Sequence, residues 1–478
     1  MSTQDKPQGA LKGFLTYFYG NFIVLILGFI QTPLLTRILA TDEYGKTGMF
    51  ETAVSIIYIF SVMGLDQAYI RYYYAKDIDR HSLLKRCLIP SLSVVTGLSV
   101  IYIVFSGPAN IFLFGAGGVD VVALVVIYTF ISVFERFFFL DVRMQQNGVL
   151  YSNINIIEKV LSIATIIGAF YMMGNDFRVG LYALAVPWGC TTTFLIIRYI
   201  VRKRGAKGSY VPSYRELITY GFPFISVLLM EWALQSCDRL ALRSFSDFNE
   251  LGIYNAAMKI VILLITFKNT FIAYWSPIAM ERFEKGDSDS NRTFFREAYD
   301  VVAVLCVLAA VMLILFRHVI VYILGPDYRS AENVIPFLTL MPIFAIMFEI
   351  TNQSIKYSKQ GKYLNIASIA ALAANIAGNL ALVPHLGGLG AAITTGVSYM
   401  VYFAIGSYYS EKCIAIGYGY RRTALYSLLL VLYCIEASFV ENMTADIVMG
   451  VMIAGVVLVT DRKTVGRILS YARNIIKK

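Results

Sequence analysis

Charge is what this 478-residue sequence has least of. Asp, Glu, Lys and Arg make up 15% of it, where a soluble globular chain carries about 25%, and 58% of the residues are hydrophobic at a mean hydropathy of +0.64. That balance excludes a water-soluble protein. Histidine is almost missing: His81, His318 and His385 each stand near a helix end without a second metal-type neighbour, so neither a metal site nor a histidine-based membrane transferase is supported. The cysteines (Cys87, Cys190, Cys237, Cys306, Cys413, Cys434) show no CxxC spacing and lie in or beside apolar runs, where cysteine packs as a small hydrophobe. No phosphate-binding GxxxxGK[ST] loop occurs, so transport powered directly by ATP is not expected. The polar start, 1–10, precedes a full-length apolar run with no small-residue cleavage pattern, and no secretory signal is expected.

What fills the chain is apolar runs of spanning length, about 20 residues each. They fall near 15–36, 47–69, 87–107, 119–140, 150–173, 179–200, 217–237, 251–276, 298–320, 334–355, 363–384, 388–409, 423–440 and 446–460. The fold class is therefore all-α, a polytopic membrane protein of about 14 transmembrane helices, hydropathy alone leaving 12 or 13 open. With the N-terminus inside, the cytoplasmic segments hold 32 of the 41 Lys and Arg and the outer ones 7, a positive-inside bias that places both termini in the cytoplasm of a cell-membrane protein. The same bias accounts for the basic stretch RYIVRKRGAKGSY (198–210), so the net charge of +10 does not point to nucleic acid. In 461–478, Val465, Ile468, Leu469, Ala472, Ile475 and Ile476 recur at helical spacing among basic residues, the pattern of an amphipathic helix lying on anionic inner-leaflet lipids.

An internal echo organises the runs. Tyr19-Gly20, Thr36-Arg37 and Glu43-Tyr44-Gly45 recur in order as Tyr220-Gly221, Asp238-Arg239 and Glu250-Leu251-Gly252. The offset of about 200 residues is six helices, an even number, so the copies run the same way across the membrane. The expected organisation is an N-terminal lobe, 1–205 (helices 1–6), a C-terminal lobe, 206–410 (helices 7–12), an extra helix pair, 411–460, and the tail, 461–478.

Ionisable groups inside the hydrocarbon cost about 2.5–3.5 kcal/mol on insertion scales and mark pathways. Helix seven holds Glu231 and helix eight Lys259, at similar depths of about 10 and 12 Å from their shared outer loop, and the two are expected to pair. Glu51, Ser55, Tyr58 and Asp66 share one arc of helix two. Narrow polar stripes also run through Asn21 of helix one, Gln235 and Asp238 of helix seven, Asn255 of helix eight, and Asn375 and Asn379 of helix eleven. Stripes on both lobes fit a hydrated cavity; the competing reading is interhelical polar glue. Arg37 and Arg239, beside Asp42, Glu43 and Asp238, either cap helix ends or close an outer gate. Glu135 with Arg136, and Glu158 with Lys159, read as local pairs, and Pro33, Pro223, Pro277, Pro336 and Pro342 as sources of kinks.

The segments TPLLTRILATDEYGKTGMF (32–50), MGLDQAYIRYY (63–73), SCDRLALRSFSDFNELGIYNAAMKI (236–260) and YWSPIAMERF (274–283) resemble the polysaccharide or O-antigen flippase (Wzx-like) family of the multidrug/oligosaccharidyl-lipid/polysaccharide exporter superfamily. The resemblance implies two lobes around a cavity that opens alternately to either side. It also implies a polyprenyl-diphosphate-linked oligosaccharide as cargo and a glycan polymerase with its chain-length machinery as partners. No cofactor or metal is called for. A lipid-linked sugar needs a cation for its diphosphate, and Lys259 is the candidate, with Asn255, Glu231, Gln235, Asn21, Tyr58, Asn375 and Asn379 lining the cavity. Glu51, Asp66, Asp238 and Glu349, with Arg37 and Arg239, are the coupling and gating candidates. The alternatives are a drug/cation antiporter of the same superfamily and, in another class, a membrane-embedded glycan polymerase or ligase, which the short outer loops disfavour.

Overall fold

The computed structural model describes residues 23–115, 117–201, 208–285, 288–440 and 442–476. Asn21 and residues 202–207 of the basic linker 198–210 lie outside these. The chain divides into two compact units, 1–243 and 244–478. Among the described residues there is no strand; the one β-bridge ties Ile78 to Tyr210.

The first unit holds α1 (Ile23–Ile38), α2 (Thr41–Val62), α3 (Leu65–Tyr72), α4 (Arg80–Val104), α5 (Ser106–Phe114), α6 (Val119–Met144), α7 (Gly148–Met173), α8 (Arg178–Val201) and nearly all of α9 (Tyr214–Phe245). Its core is aromatic: Tyr69, Tyr73, Phe137 and Cys87 pack around α3, α4 and α6, and Phe50, Phe114, Val125 and Leu181 around α2, α5, α6 and α8. Asp79 caps α4, accepting from the His81 N–H at 3.1 Å and the Ser82 hydroxyl at 2.7 Å, and those bonds hold its carboxyl below the ordinary carboxylate range.

The second run, read as one helix over 47–69, is two. α2 and α3 meet at 49°, because Met63 (φ 51°) and Gly64 (φ 68°) are both left-handed. A side chain at Gly64 would put its Cβ 2.1 Å from the Gly221 carbonyl oxygen of α9. Only glycine fits both that backbone angle and that approach.

The second unit holds α10 (Phe248–Lys285), α11 (Ser288–Leu315), α12 (Arg317–Val321), α13 (Ala331–Thr351), α14 (Gln353–Tyr357), α15 (Lys362–Cys413), α16 (Tyr420–Phe439), α17 (Met443–Thr460) and α18 (Arg462–Ile476). α13 is apolar on all sides and buried on nearly all of them, packed by α10, α11, α15 and α16, as an all-round hydrophobic helix requires. At about 1.5 Å per residue the 52 residues of α15 would run about 78 Å, far beyond a hydrocarbon core of about 30 Å. The helix folds back instead: Gly387 leaves helical geometry at φ 52°, ψ −129°, and a Cβ on Gly378 would lie 2.8 Å from Thr394. α15 thus supplies the two runs near 363–384 and 388–409. Both sharp breaks fall at glycines, not at the prolines named as kink sources.

Eleven described helices, or twelve with the bent α2–α3 pair, are long and apolar enough to cross a membrane. The protein is an all-α, multi-pass membrane protein. α16 and α17 pack on each other and on α11, and α16 also packs on α13. Arg317 donates to Asp446 of α17 at one end of this pair, and at the other Arg422 of α16 donates to Asp300 of α11 (2.9 Å) and pairs with Asp461.

Candidate polar site and its relatives

In the first unit Glu51, Ser55 and Asp66 of α2 and α3 each find a partner on another helix. Glu51 Oε2 lies 3.5 Å from Arg239 Nη2 of α9, whose Nη1 is 3.4 Å from Thr52 Oγ1. Ser55 accepts from the Trp232 indole N–H at 3.0 Å. Asp66, 3% exposed, takes the Arg136 Nε–H at 3.0 Å and the amide of Gln67 at 3.1 Å, in the first turn of α3 where the helix dipole favours a carboxylate. Tyr58 stands within electrostatic reach of Arg136, Asp66 and Glu135. The stripe on helix two is therefore interrupted: the break at Gly64 turns Asp66 away from the axis that carries Glu51, Ser55 and Tyr58.

The two local pairs stay within electrostatic reach and also make longer-range contacts. Arg136, beside Glu135, forms its ion pair with Asp66 on α3. Glu158 accepts from Thr191 of α8 at 2.7 Å, and Lys159 reaches Gln31 of α1 at 3.4 Å. Gln31 also donates to Ser162 of α7 at 3.0 Å, and Ser162 to the Ala183 carbonyl of α8 at 2.7 Å. One Asp66 oxygen, Oδ1, is buried with no hydrogen-bond partner among the described residues. A buried carboxylate oxygen facing no donor is a place for water or a ligand hydroxyl. Glu231 stands on α9, 3.5 Å from the Gln235 amide, and Asp238 is buried on the same helix. Arg37 is exposed at the end of α1.

The second unit carries Asn255 (buried) and Lys259 (half-buried) on α10, and Asn375 and Asn379 on α15, where the Asn379 amide donates to Asn375 Oδ1 at 3.1 Å. Glu349 of α13 accepts from Lys356 at 3.1 Å and from Asn352 at 3.0 Å, so it faces the end of its own helix.

The repeated Glu has one structural job in both units. Glu43 Oε2 accepts the backbone N–H of Phe177 at 2.7 Å, in the turn between α7 and α8. Glu250 Oε2 accepts the backbone N–H of Gly388 at 2.8 Å, in the turn between the halves of α15. Each carboxylate, at the start of its lobe's second span, fastens the return from the fifth span to the sixth. A glycine packs at each point: Gly180 against Thr47, and Gly388 against Tyr254. The echo in sequence is thus a repeated device in space, and one of the acids near Arg37, Glu43, serves it. Glu43 also pairs with Lys46.

Many intramembrane hydroxyls are occupied within their own helices: Thr52, Thr129, Ser132 and Ser398 donate to the carbonyl four residues back at 2.7–3.0 Å. Among the described residues no group of three His, Cys, Asp or Glu is set to hold a metal ion. The polar interior offers donors, acceptors and paired charges facing one another between helices, the equipment of binding.

Solved structures similar in fold to this chain include a flippase and multidrug transporters. The "Lipid II flippase MurJ, inward closed conformation" aligns with 94% of this chain and all of its own at a TM-score of 0.70 and 13% identity. An inward-facing multidrug resistance MATE family transporter of the MOP superfamily covers 82% of this chain and 95% of its own, with a TM-score of 0.61 and 18% identity. At those identities the likeness is one of fold. An uncharacterized membrane protein of Methanocaldococcus jannaschii is 24% identical over 96% of this chain and 94% of its own. The profile of the polysaccharide biosynthesis protein family matches residues 10–281, more than half of the sequence and inclusive of both copies of the repeated Glu latch. By that match, the chain belongs to the polysaccharide biosynthesis protein family.

Proposed function

We propose that the protein is a flippase that carries a polyprenyl-diphosphate-linked oligosaccharide, the repeat unit of an O-antigen or another surface polysaccharide, from the cytoplasmic to the periplasmic leaflet by alternating access. The observation that carries this reading is the extent of the two fold likenesses. The flippase likeness covers 94% of the chain at a TM-score of 0.70 and the multidrug transporter 82% at 0.61. That favours a lipid-linked cargo over a drug. In this reading the protein sits in the inner membrane with both termini cytoplasmic, and α18 lies on anionic lipids.

Lys259 attracts the diphosphate, and Asn255, Glu231, Gln235, Tyr58, Asn375 and Asn379, with Asn21, contact the glycan through amides and hydroxyls. Glu51, Asp66, Asp238, Glu349, Arg37 and Arg239 are the pool for coupling and gating. The Glu51–Arg239 contact at 3.5 Å supports the last role, since such a pair is able to break and reform as helices move.

The test is deletion in the native host. Lipid-linked oligosaccharide accumulating on the cytoplasmic face, restored by the wild-type gene and not by Lys259→Met, is the expected result. Unchanged glycan export with altered drug tolerance would overturn the reading in favour of an antiporter.

A further inference from the structure

The cluster that joins α11, α12 and α13 to α16 and α17 has more acid than its cations balance. His318, one-third exposed, has both ring nitrogens at carboxylate oxygens: Nδ1 is 2.9 Å from Glu332 Oε2 of α13 and Nε2 is 3.2 Å from Asp446 Oδ2 of α17. An ionised carboxylate only accepts, and a neutral imidazole donates from one nitrogen. The arrangement therefore needs one proton more than a neutral ring supplies.

Behind His318, the Asp446 carboxylate is 2% exposed and takes both Arg317 Nη1 (2.9 Å) and Nη2 (2.7 Å). Glu436 of α16 brings a third carboxyl beside Asp446. Both Glu436 oxygens are buried with no hydrogen-bond partner among the described residues, as is the hydroxyl of Tyr433, one turn away. Tyr433 and Cys434 complete the groups that α16 turns toward Arg317. Arg329 points elsewhere, to the Val321 carbonyl at 2.6 Å. One arginine thus faces two carboxyls, Asp446 and Glu436, and the cluster holds a third, Glu332, at His318. Two ionised carboxylates buried side by side repel strongly, and charge balances only with one proton on His318 and a second held between Asp446 and Glu436.

We propose that this junction is a proton-binding site, with His318 as its solvent entrance and the Asp446–Glu436 pair as its inner seat, and that its two protons fasten α16 and α17 to the rest of the second unit. His318 and Glu332, each one-third exposed, give solvent a way in. The site is independent of what the protein carries.

The experiment follows thermal unfolding of the full chain in lipid nanodiscs from about pH 5 to about pH 8.5, for wild type, His318→Gln and Glu436→Gln. Protons held by the folded protein and released on unfolding make stability fall as pH rises. Wild type is expected to lose melting temperature across this range. His318→Gln gives a shallower fall, and His318→Gln combined with Glu436→Gln gives a nearly flat profile. Glu436→Gln, whose amide stands in for a protonated carboxyl, keeps the wild-type melting temperature at low pH. In a weakly buffered medium each single variant releases about one proton fewer on unfolding than wild type. Parallel profiles with equal proton release would overturn the proposal, as would a Glu436→Gln protein equally destabilised at every pH. Should His318→Gln not fold, Glu436→Gln and proton release from wild type decide alone.

Discussion

Arg317→Met should detach the C-terminal helix pair, and the structure sets the size of the effect. Arg317 is 2% exposed and makes four hydrogen bonds: two to Asp446, one to the Ile314 carbonyl and one to the Ala437 carbonyl, at 2.7–3.0 Å. Removing one partner of a buried pair costs about 3–5 kcal/mol, because the other charge stays buried and uncompensated. For a unit of this size about 2–4 °C is lost per kcal/mol, so the melting temperature should fall by about 6–20 °C. The double change Arg317→Met with Asp446→Leu removes both charges and leaves the Ile314 and Ala437 carbonyls short of a donor and His318 Nε2 short of its Asp446 acceptor, at about 1–3 kcal/mol for each group that stays buried. Apolar packing offsets part of that, so the double variant should be more stable than the single. The assays are thermal unfolding in detergent and the rate at which a thiol reagent labels Cys434, which is buried on α16 against the Pro336 carbonyl. Labelling should speed up in Arg317→Met and return toward wild type in the double. A single variant that melts within about 2 °C of wild type, or a double no better than the single, would refute the reasoning.

Gly64→Ala should be worse than Gly221→Ala. The first forces a side chain into left-handed backbone, at about 1–2 kcal/mol, and onto a carbonyl oxygen 2.1 Å away; the second meets backbone at 2.8 Å but gains helix propensity of about 1 kcal/mol. Expression and melting temperature of the two variants check the order, and equal effects would mean the crossing of α9 with the break is loose. Glu43→Gln and Glu250→Gln should each weaken one charge-assisted bond to a turn N–H, by about 1–2 kcal/mol, with backbone hydrogen exchange rising at Phe177 in the first and at Gly388 in the second. Exchange that changes in neither turn would show that the repeated Glu is not the fastening.

The relation between sequence and structure differs from residue to residue. Thr41–Val62 and Ala331–Thr351 are legible as spans because burying about 20 apolar residues in lipid is a local property, written in consecutive positions. The repeated Glu is visible as an echo, but not as a latch: the N–H groups it holds lie 134 and 138 residues further along. The Arg317–Asp446 pair is not legible in the sequence, since no spacing links residues 129 apart.

By itself the sequence determined the environment, the all-helical class, the approximate spans and the twofold internal repeat, because each follows from composition or from near neighbours in the chain. Only the tertiary structure decided which charge meets which: Arg136 with Asp66, Arg239 with Glu51, Arg317 with Asp446, and His318 between two acids. Long charged side chains reach several neighbours equally well. The choice among them is made by where helices cross, and here by two glycines, Gly64 and Gly387, whose left-handed backbone turns a helix at points hydropathy does not mark.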